Sequence, residues 1–137
     1  MSFFDGIEIA SSGMRAQRLR MNIISANIAN ADSVKTKEGG PYKRRDVVFK
    51  AEDYSKFSDI LKQVSVDNVV RDDTPPKLVY DPHNPLANKD GYVAYPNINP
   101  VVEMTNLIDA MRTYQANTSV VDSAKQMAQA ALSVLRG

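Results

Sequence analysis

The sequence predicts a mainly α protein with a small β part, in which long N- and C-terminal helices pair as an antiparallel coiled coil. All seven prolines lie between Pro41 and Pro100, so both ends of the 137-residue chain are free of helix breakers. Apolar residues also recur every three or four positions at both ends. These observations divide one ordinary domain into an N-terminal helix (1–31), a middle region (32–99) with a β-hairpin and ordered loops, and a C-terminal helix (100–137).

The N-terminal helix is predicted to begin at a capping box formed by Ser2 and Asp5. Apolar residues then recur at alternating steps of four and three positions, which gives a heptad pattern sustained for nearly four repeats. Its members are Phe3, Ile7, Ala10, Met14, Gln17, Met21, Ile24 and Ile28. Gly6 and Gly13 lie beside this repeat, and they either let another backbone approach closely or reflect loose fraying near a terminus.

The C-terminal helix is predicted to begin with Asn99 as its cap and Pro100 at its first position. Its heptad repeat consists of Leu107, Ala110, Tyr114, Asn117, Val121, Ala124, Ala128, Ala131 and Leu135. Two further apolar rows follow the same helix, one of Val120, Met127 and Val134, the other of Met104, Met111 and Leu132. One partner helix cannot cover this arc, so other subunits are expected to supply the missing contacts.

A packing assignment follows from these rows. Within the subunit, we expect Ile7, Met14, Met21, Ile24 and Ile28 to face Leu107, Tyr114, Val121 and Leu135. Adjacent subunits would cover Val120, Met127 and Val134; the exchanged assignment remains open because Ala-rich faces serve either use. Asn27, Asn30 and Asn117 are expected to satisfy backbone groups at helix ends or between helices, with a recognition role as the alternative.

The middle region has weaker signals. Alternation over Val64–Arg71, a turn at Asp72–Pro76 and a returning segment at Lys77–Tyr80 predict a β-hairpin. A short strand at Val47–Phe49 could extend it. The segments Lys35–Tyr42 and Asp81–Asn99 are expected to form loops.

No catalytic or cofactor site is predicted. The net charge of +1 supplies no field for nucleic acid, and the short basic cluster Lys43–Arg45 is offset by nearby acids. The chain has no Cys, and its one histidine, His83, lies in a turn-like segment, so no metal site is expected. Asp72-Asp73 and Asn88–Gly91 lack the spacing of a calcium loop and are interpreted as turns. No run of apolar residues long enough to insert in a membrane is present, and no removable signal peptide is visible.

Two motifs at opposite ends resemble the axial rod and hook proteins of the bacterial flagellum. The N-terminal motif is Asn27-Ile28-Ala29-Asn30, followed by Ser33. The C-terminal motif comprises Asn97, Asn99, Glu103 and Met104, then Tyr114-Gln115-Ala116-Asn117. The segments Lys77–Pro85 and Asp90–Asn97 are similar to the proximal rod branch of the family.

The resemblance implies a structural subunit of the flagellar rod that crosses the periplasm as part of a drive shaft. Its implied partners are copies of itself, the neighbouring rod proteins FlgB, FlgF, FlgG and FliE, and the type III export apparatus that delivers it without a cleaved leader. Two alternatives remain at this point: a cytosolic coiled-coil adaptor that forms a closed oligomer, and a small cell-wall hydrolase. The hydrolase would need paired carboxylates in a cleft, which adjacent Asp72 and Asp73 do not suggest.

Overall fold

A computed structural model of the chain describes residues 3–55 and 58–137, apart from the side chains of Phe3 and of residues 54–60. In these ranges two long helices come before and after four strands along the sequence. The elements are α1 (Phe3–Ala29), β1 (Arg45–Ser55), β2 (Ser58–Arg71), β3 (Lys77–Tyr80), β4 (Tyr92–Tyr95) and α2 (Pro100–Arg136). The predicted mainly helical class with a small β part is confirmed. The predicted cap Ser2 and the side chain of Phe3 lie outside the described part of the chain.

The start of α2 is fixed by the predicted cap. The Asn99 side chain accepts a hydrogen bond from the backbone N–H of Val101 at 3.0 Å, and Pro100 occupies the first turn without losing a needed donor. At the other end the N–H of Gly137 donates to the carbonyl of Ser133 at 3.2 Å. The helix therefore runs without interruption for 37 residues.

The two helices lie against each other in opposite directions. Asn27 near the end of α1 contacts Glu103 near the start of α2, whereas Gly13 approaches Asn117 further along α2. A Cβ atom added at Gly13 would lie 2.8 Å from Asn117 Nδ2, so glycine permits a close approach at this point. At Gly6 no described atom lies within 4 Å of such a Cβ atom, so among the described residues the close-approach explanation applies to Gly13 alone.

The strands form two separate antiparallel hairpins, β1 with β2 and β3 with β4. The predicted pairing of Val64–Arg71 with Lys77–Tyr80 is therefore wrong. The N–H of Asp72 donates to the carbonyl of Arg44 at 2.8 Å, which continues the β1–β2 ladder beyond Arg71. Pro75 and Pro76 then follow without backbone donors, so the chain leaves this ladder before β3 begins. Lys77–Tyr80 pairs instead with Tyr92–Tyr95, inside a segment predicted to be a loop.

The apolar core of the described residues is thin and made mostly of small side chains. Its buried members are Ala10, Ala16, Ile24, Val93, Ala110 and Ala124. The β1–β2 hairpin is attached to α1 beside this core, where the N–H of Val64 donates to Ser12 Oγ at 3.0 Å. Ser12 Oγ in turn donates to the carbonyl of Ile9 at 2.7 Å. Small side chains bury little area each, so apolar burial within the subunit is limited.

Candidate assembly surface

A buried amide joins α1 to the start of the β1–β2 hairpin. Asn27 is 0% exposed, and its Nδ2 donates to the carbonyl of Arg45 at 2.7 Å and to Glu103 Oε2 at 2.9 Å. Its Oδ1 accepts from the N–H of Arg45 at 3.0 Å and from the Tyr42 hydroxyl at 3.2 Å. Both donors and both acceptor positions of the amide are thus used. Asn27 thus binds both the N–H and the carbonyl of Arg45, as a residue of a neighbouring strand would.

A buried ion pair completes this cluster. Glu103 is 1% exposed, and its Oε1 accepts from Arg44 Nε at 2.7 Å. Arg44 Nη1 also donates to Asp46 Oδ2 at 3.1 Å. Burial alone would lower the pKa of Arg44, but its bonds to Glu103 and Asp46 outweigh burial and raise the pKa above its ordinary value. The guanidinium therefore stays charged, and the charge of Glu103 is compensated inside the protein.

We call Asn27, Tyr42, Arg44, Asp46 and Glu103 the polar cluster. Its members come from the end of α1, the loop before β1, the start of β1 and the first turn of α2. Because each hydrogen bond is directional, the cluster fixes the axial position of one helix relative to the other. It therefore determines which faces of α2 remain uncovered.

Most of the residues predicted to pack within the subunit are buried or half-buried. Ile24 is buried on α1. Half-buried members are Ile7, Met14, Met21 and Ile28 on α1 and Leu107, Tyr114 and Val121 on α2. Asn117 is also half-buried and lies against Gly13, while Asn30 Nδ2 donates to the carbonyl of Ala26 at 2.8 Å.

Leu135 does not take part in this packing, so the prediction that it faces α1 is wrong. By the register of Asn27 with Glu103 and Gly13 with Asn117, Phe3 lies level with Met127. The last part of α2, residues 128–136, continues beyond the first described residue of α1 by about 13 Å. Leu135 lies in this projecting segment and is 82% exposed.

The row predicted to face other subunits is exposed. Val120 is 49%, Met127 60% and Val134 80% exposed. Between them at heptad spacing lie Ala131, which is exposed, and Ala124, which belongs to the core and is 7% exposed. We call these five residues the C-terminal stripe. A shallow groove runs along its first half, lined by Gly6, Ser119, Val120, Ser123, Ala124 and Met127. Large apolar side chains exposed in a continuous row are typical of a surface that another protein covers.

A second exposed row lies near the start of α2. Val101, Met104, Ile108 and Met111 are separated by three, four and three residues and are between 44% and 70% exposed. We call them the N-terminal stripe. The apolar row predicted from the sequence included Met104 and Met111 but neither Val101 nor Ile108.

The remaining motif residues lie on the surface of the subunit. Asn97 is exposed before α2, Ala29 is exposed at the last turn of α1, and Gln115 and Ala116 are exposed on α2. His83 is exposed in a turn. Within the described ranges, no group of three or more His, Cys, Asp or Glu side chains could hold a metal ion. No helix of those ranges has the length and apolarity needed to cross a membrane.

Sequence reasoning missed the positions of Arg44, Tyr42 and Asp46. Arg44 was interpreted as part of a surface basic cluster, whereas it is the partner of a buried carboxylate 59 residues away. One signal could have revealed the need for such a partner. Glu103 precedes Leu107 by four residues and so continues the heptad repeat of α2, which places an acid on its buried face.

Comparison with known proteins identifies the family. Residues 7–35 match the family model described as "Flagella basal body rod protein", and residues 89–134 match "Flagellar basal body rod FlgEFG protein C-terminal".

Relatives named flagellar basal-body rod protein FlgC align along almost the whole chain. The protein from Borreliella burgdorferi is 39% identical, with 100% of both chains covered. The protein from Salmonella typhimurium is 41% identical with 93% of both chains covered, and that from Bacillus subtilis is 36% identical with 98% of this chain and 99% of its own covered. The chain therefore belongs to the FlgC family of flagellar basal-body rod proteins and is a structural subunit of the basal-body rod, not an enzyme.

Proposed function

We propose that this chain is a subunit of the proximal rod that assembles helically through its terminal helices. In this proposal α1 and α2 form an antiparallel coiled coil, which is the inner helical domain of the subunit. The middle region is carried on it by the polar cluster. The assembled rod crosses the periplasm and transmits torque as part of the drive shaft for motility.

The observation that carries the proposal is the exposed C-terminal stripe. Val120, Met127 and Val134 would each remain about half or more exposed in an isolated subunit, at a cost in apolar surface left in water. Contacts with neighbouring subunits would remove this surface from water, and they stabilise the folded form by mass action. Heterologous contacts that do not close a ring propagate along an axis, as a rod requires.

The proposed partners are copies of this chain and the neighbouring rod proteins FlgB, FlgF, FlgG and FliE. Delivery would take place through the flagellar type III export apparatus. A thin core and the absence of Cys support this route, because a chain with little internal burial and no disulfides unfolds readily for passage through a channel.

The test introduces a charge into the C-terminal stripe. Val120→Asp or Met127→Asp is expected to abolish motility and to remove the protein from purified basal bodies, because a carboxylate would have to be desolvated at the contact. Export should remain detectable. The matched control is Gln129→Asp, which makes the same charge change on the opposite side of α2. Full motility of the two stripe variants would contradict the proposal.

A further inference from the structure

We propose that the two stripes of α2 are the two halves of one contact between copies of this chain: the N-terminal stripe of one copy packs into the C-terminal stripe of the next. The inference rests on the proposed function, since it names the partner surface of the C-terminal stripe. It commits to a second copy of this chain as the occupant.

The spacing of both stripes calls for a helix as partner. The N-terminal stripe has heptad spacing over Val101–Met111, and the C-terminal stripe has it over Val120–Val134. Knobs-into-holes packing requires a helix with the same repeat on the other side. Neither stripe contains a charged residue, so the contact needs no compensating charge from its partner.

In one register the two stripes face each other with no polar residue in any layer of the contact. Copies in a rod share one direction, so their α2 helices meet in parallel and like heptad positions face each other. The resulting layers pair Val101 with Ala124, Met104 with Met127, Ile108 with Ala131, and Met111 with Val134. A shift by one heptad would instead bring Gln115 into the contact, opposite Ala131. The apolar register therefore has four continuous layers.

The groove supplies the hole that the first layer needs. In a parallel pair, each knob enters a space between four residues of the facing helix. For Val101 in this register those residues are Val120, Ser123, Ala124 and Met127, which are four of the six that line the groove. Gly6 borders the same groove, and no described atom lies within 4 Å of its Cβ position, so the described part of α1 does not fill the hole. Val101 is 70% exposed and available to fill the groove of a neighbour.

The placement of the stripes makes the contact open-ended. At 100° per residue they lie about 140° apart around α2, so one copy can use both stripes at once with different neighbours. The register also offsets successive copies by 23 positions, which is about 35 Å along the helix. A contact between unlike surfaces with an axial offset generates a helical array and not a closed dimer.

Disulfide cross-linking tests this pairing without background, because the natural chain has no Cys. The variant Met104→Cys/Met127→Cys places both thiols in the second layer. Within one chain these positions are about 35 Å apart on a continuous helix, far beyond the 7 Å limit for a disulfide. Cells producing the variant are used to purify basal bodies, which are oxidised and separated on non-reducing gels. We expect most of the variant to run as dimers and longer ladders of this chain.

Three controls make the result specific. Each single variant should remain unlinked, and dimers from Met127→Cys alone would overturn the proposal by showing that like stripes meet. Met104→Cys/Lys125→Cys moves one thiol to another face of α2 and should not give the ladder. If Met104→Cys/Met127→Cys fails to enter basal bodies, Ile108→Cys/Ala131→Cys tests the adjacent layer in the same way, at two positions that are both exposed in the subunit.

The outcome separates this inference from the proposed function. If Met127→Asp abolishes assembly but both double-cysteine variants stay unlinked or link only to another rod protein, the stripe is an assembly surface and its pairing with a second copy is wrong. If Met127→Asp has no effect on assembly, the proposed function itself fails.

Discussion

The ion pair between Arg44 and Glu103 predicts a large loss of stability when one partner is removed. Arg44→Met leaves the Glu103 carboxylate, which is 1% exposed, without the guanidinium that now lies 2.7 Å away. Breaking a buried pair in this way costs about 3–5 kcal/mol of unfolding free energy. We expect a value near 3 kcal/mol, since the Arg44 side chain is 21% exposed and some water can reach the site.

The second half of a mutant cycle identifies the cause. Glu103→Gln removes the buried charge and keeps one of the two acceptor oxygens that now bind Arg44 Nε and Asn27 Nδ2. Arg44 retains Asp46, so about 1–2 kcal/mol is expected for the lost acceptor. In Arg44→Met/Glu103→Gln no buried charge loses its partner, since Asp46, which also loses Arg44, has a side chain that is 44% exposed. The double variant should therefore be more stable than the sum of the single losses predicts, by about 1–3 kcal/mol.

The measurement is a urea titration followed by helical circular dichroism at a protein concentration too low for association. With a slope of about 2 kcal/mol/M, a loss of 3 kcal/mol lowers the midpoint by about 1.5 M. Arg71→Met is the matched control, because Arg71 Nη1 lies 2.8 Å from Glu38 Oε2 in a pair whose side chains are both more than half exposed. That change should cost less than about 1 kcal/mol. Equal losses for Arg44→Met and Arg71→Met would refute the reasoning.

Two further predictions concern single sites. Gly6→Ala should stabilise the isolated chain by about 0.5–1 kcal/mol, since no described atom lies within 4 Å of the new methyl group. Gly13→Ala should stabilise it less, because Asn117 Nδ2 would be 2.8 Å away, and equal gains in urea titrations would contradict this. The pKa of Asp72 is lowered because the Thr74 hydroxyl and N–H donate to its carboxylate, so Thr74→Val should raise the midpoint of its NMR titration, and an unchanged midpoint would contradict the assignment. Because the pKa of Asp72 is lower in the folded state than in the unfolded state, Asp72 stabilises the folded state at pH values above its unfolded pKa. This contribution is lost as the pH falls through the folded pKa, so it disappears only in acid.

The helices could be predicted from sequence because their signals are local. Proline positions, the Asn99 cap and the heptad spacing each act within a few residues, and the observed bounds of α2 follow them. Strand pairing is different, because Ser58–Arg71 has a candidate partner on each side in the sequence and its local pattern does not choose between them. The predicted partner Lys77–Tyr80 was near in sequence, but four residues cannot match the long ladder that Arg45–Ser55 offers to Ser58–Arg71.

The polar cluster was predictable only in part. Asn27 and Glu103 both lie in the quoted family motifs, and the heptad phase of Glu103 places it on a buried face. Nothing in the local sequence distinguishes Arg44 from its neighbours Lys43 and Arg45, since all three are basic. Their different surroundings arise from the turn of the chain after α1, which directs Arg44 inward.

The two ends of the helix pair are held by different physical means, and this division suits a subunit that completes its burial by assembly. At one end the polar cluster holds α1, α2 and β1 through directional bonds that use little apolar surface. At the other end α2 extends past the described part of α1, and Val134 and Leu135 are more than 79% exposed there. Polar bonds of this kind specify a register, whereas apolar burial supplies most of the free energy of association. The cluster therefore holds both stripes in fixed positions before any neighbour has covered them. Less conformational entropy is then lost when each new contact forms.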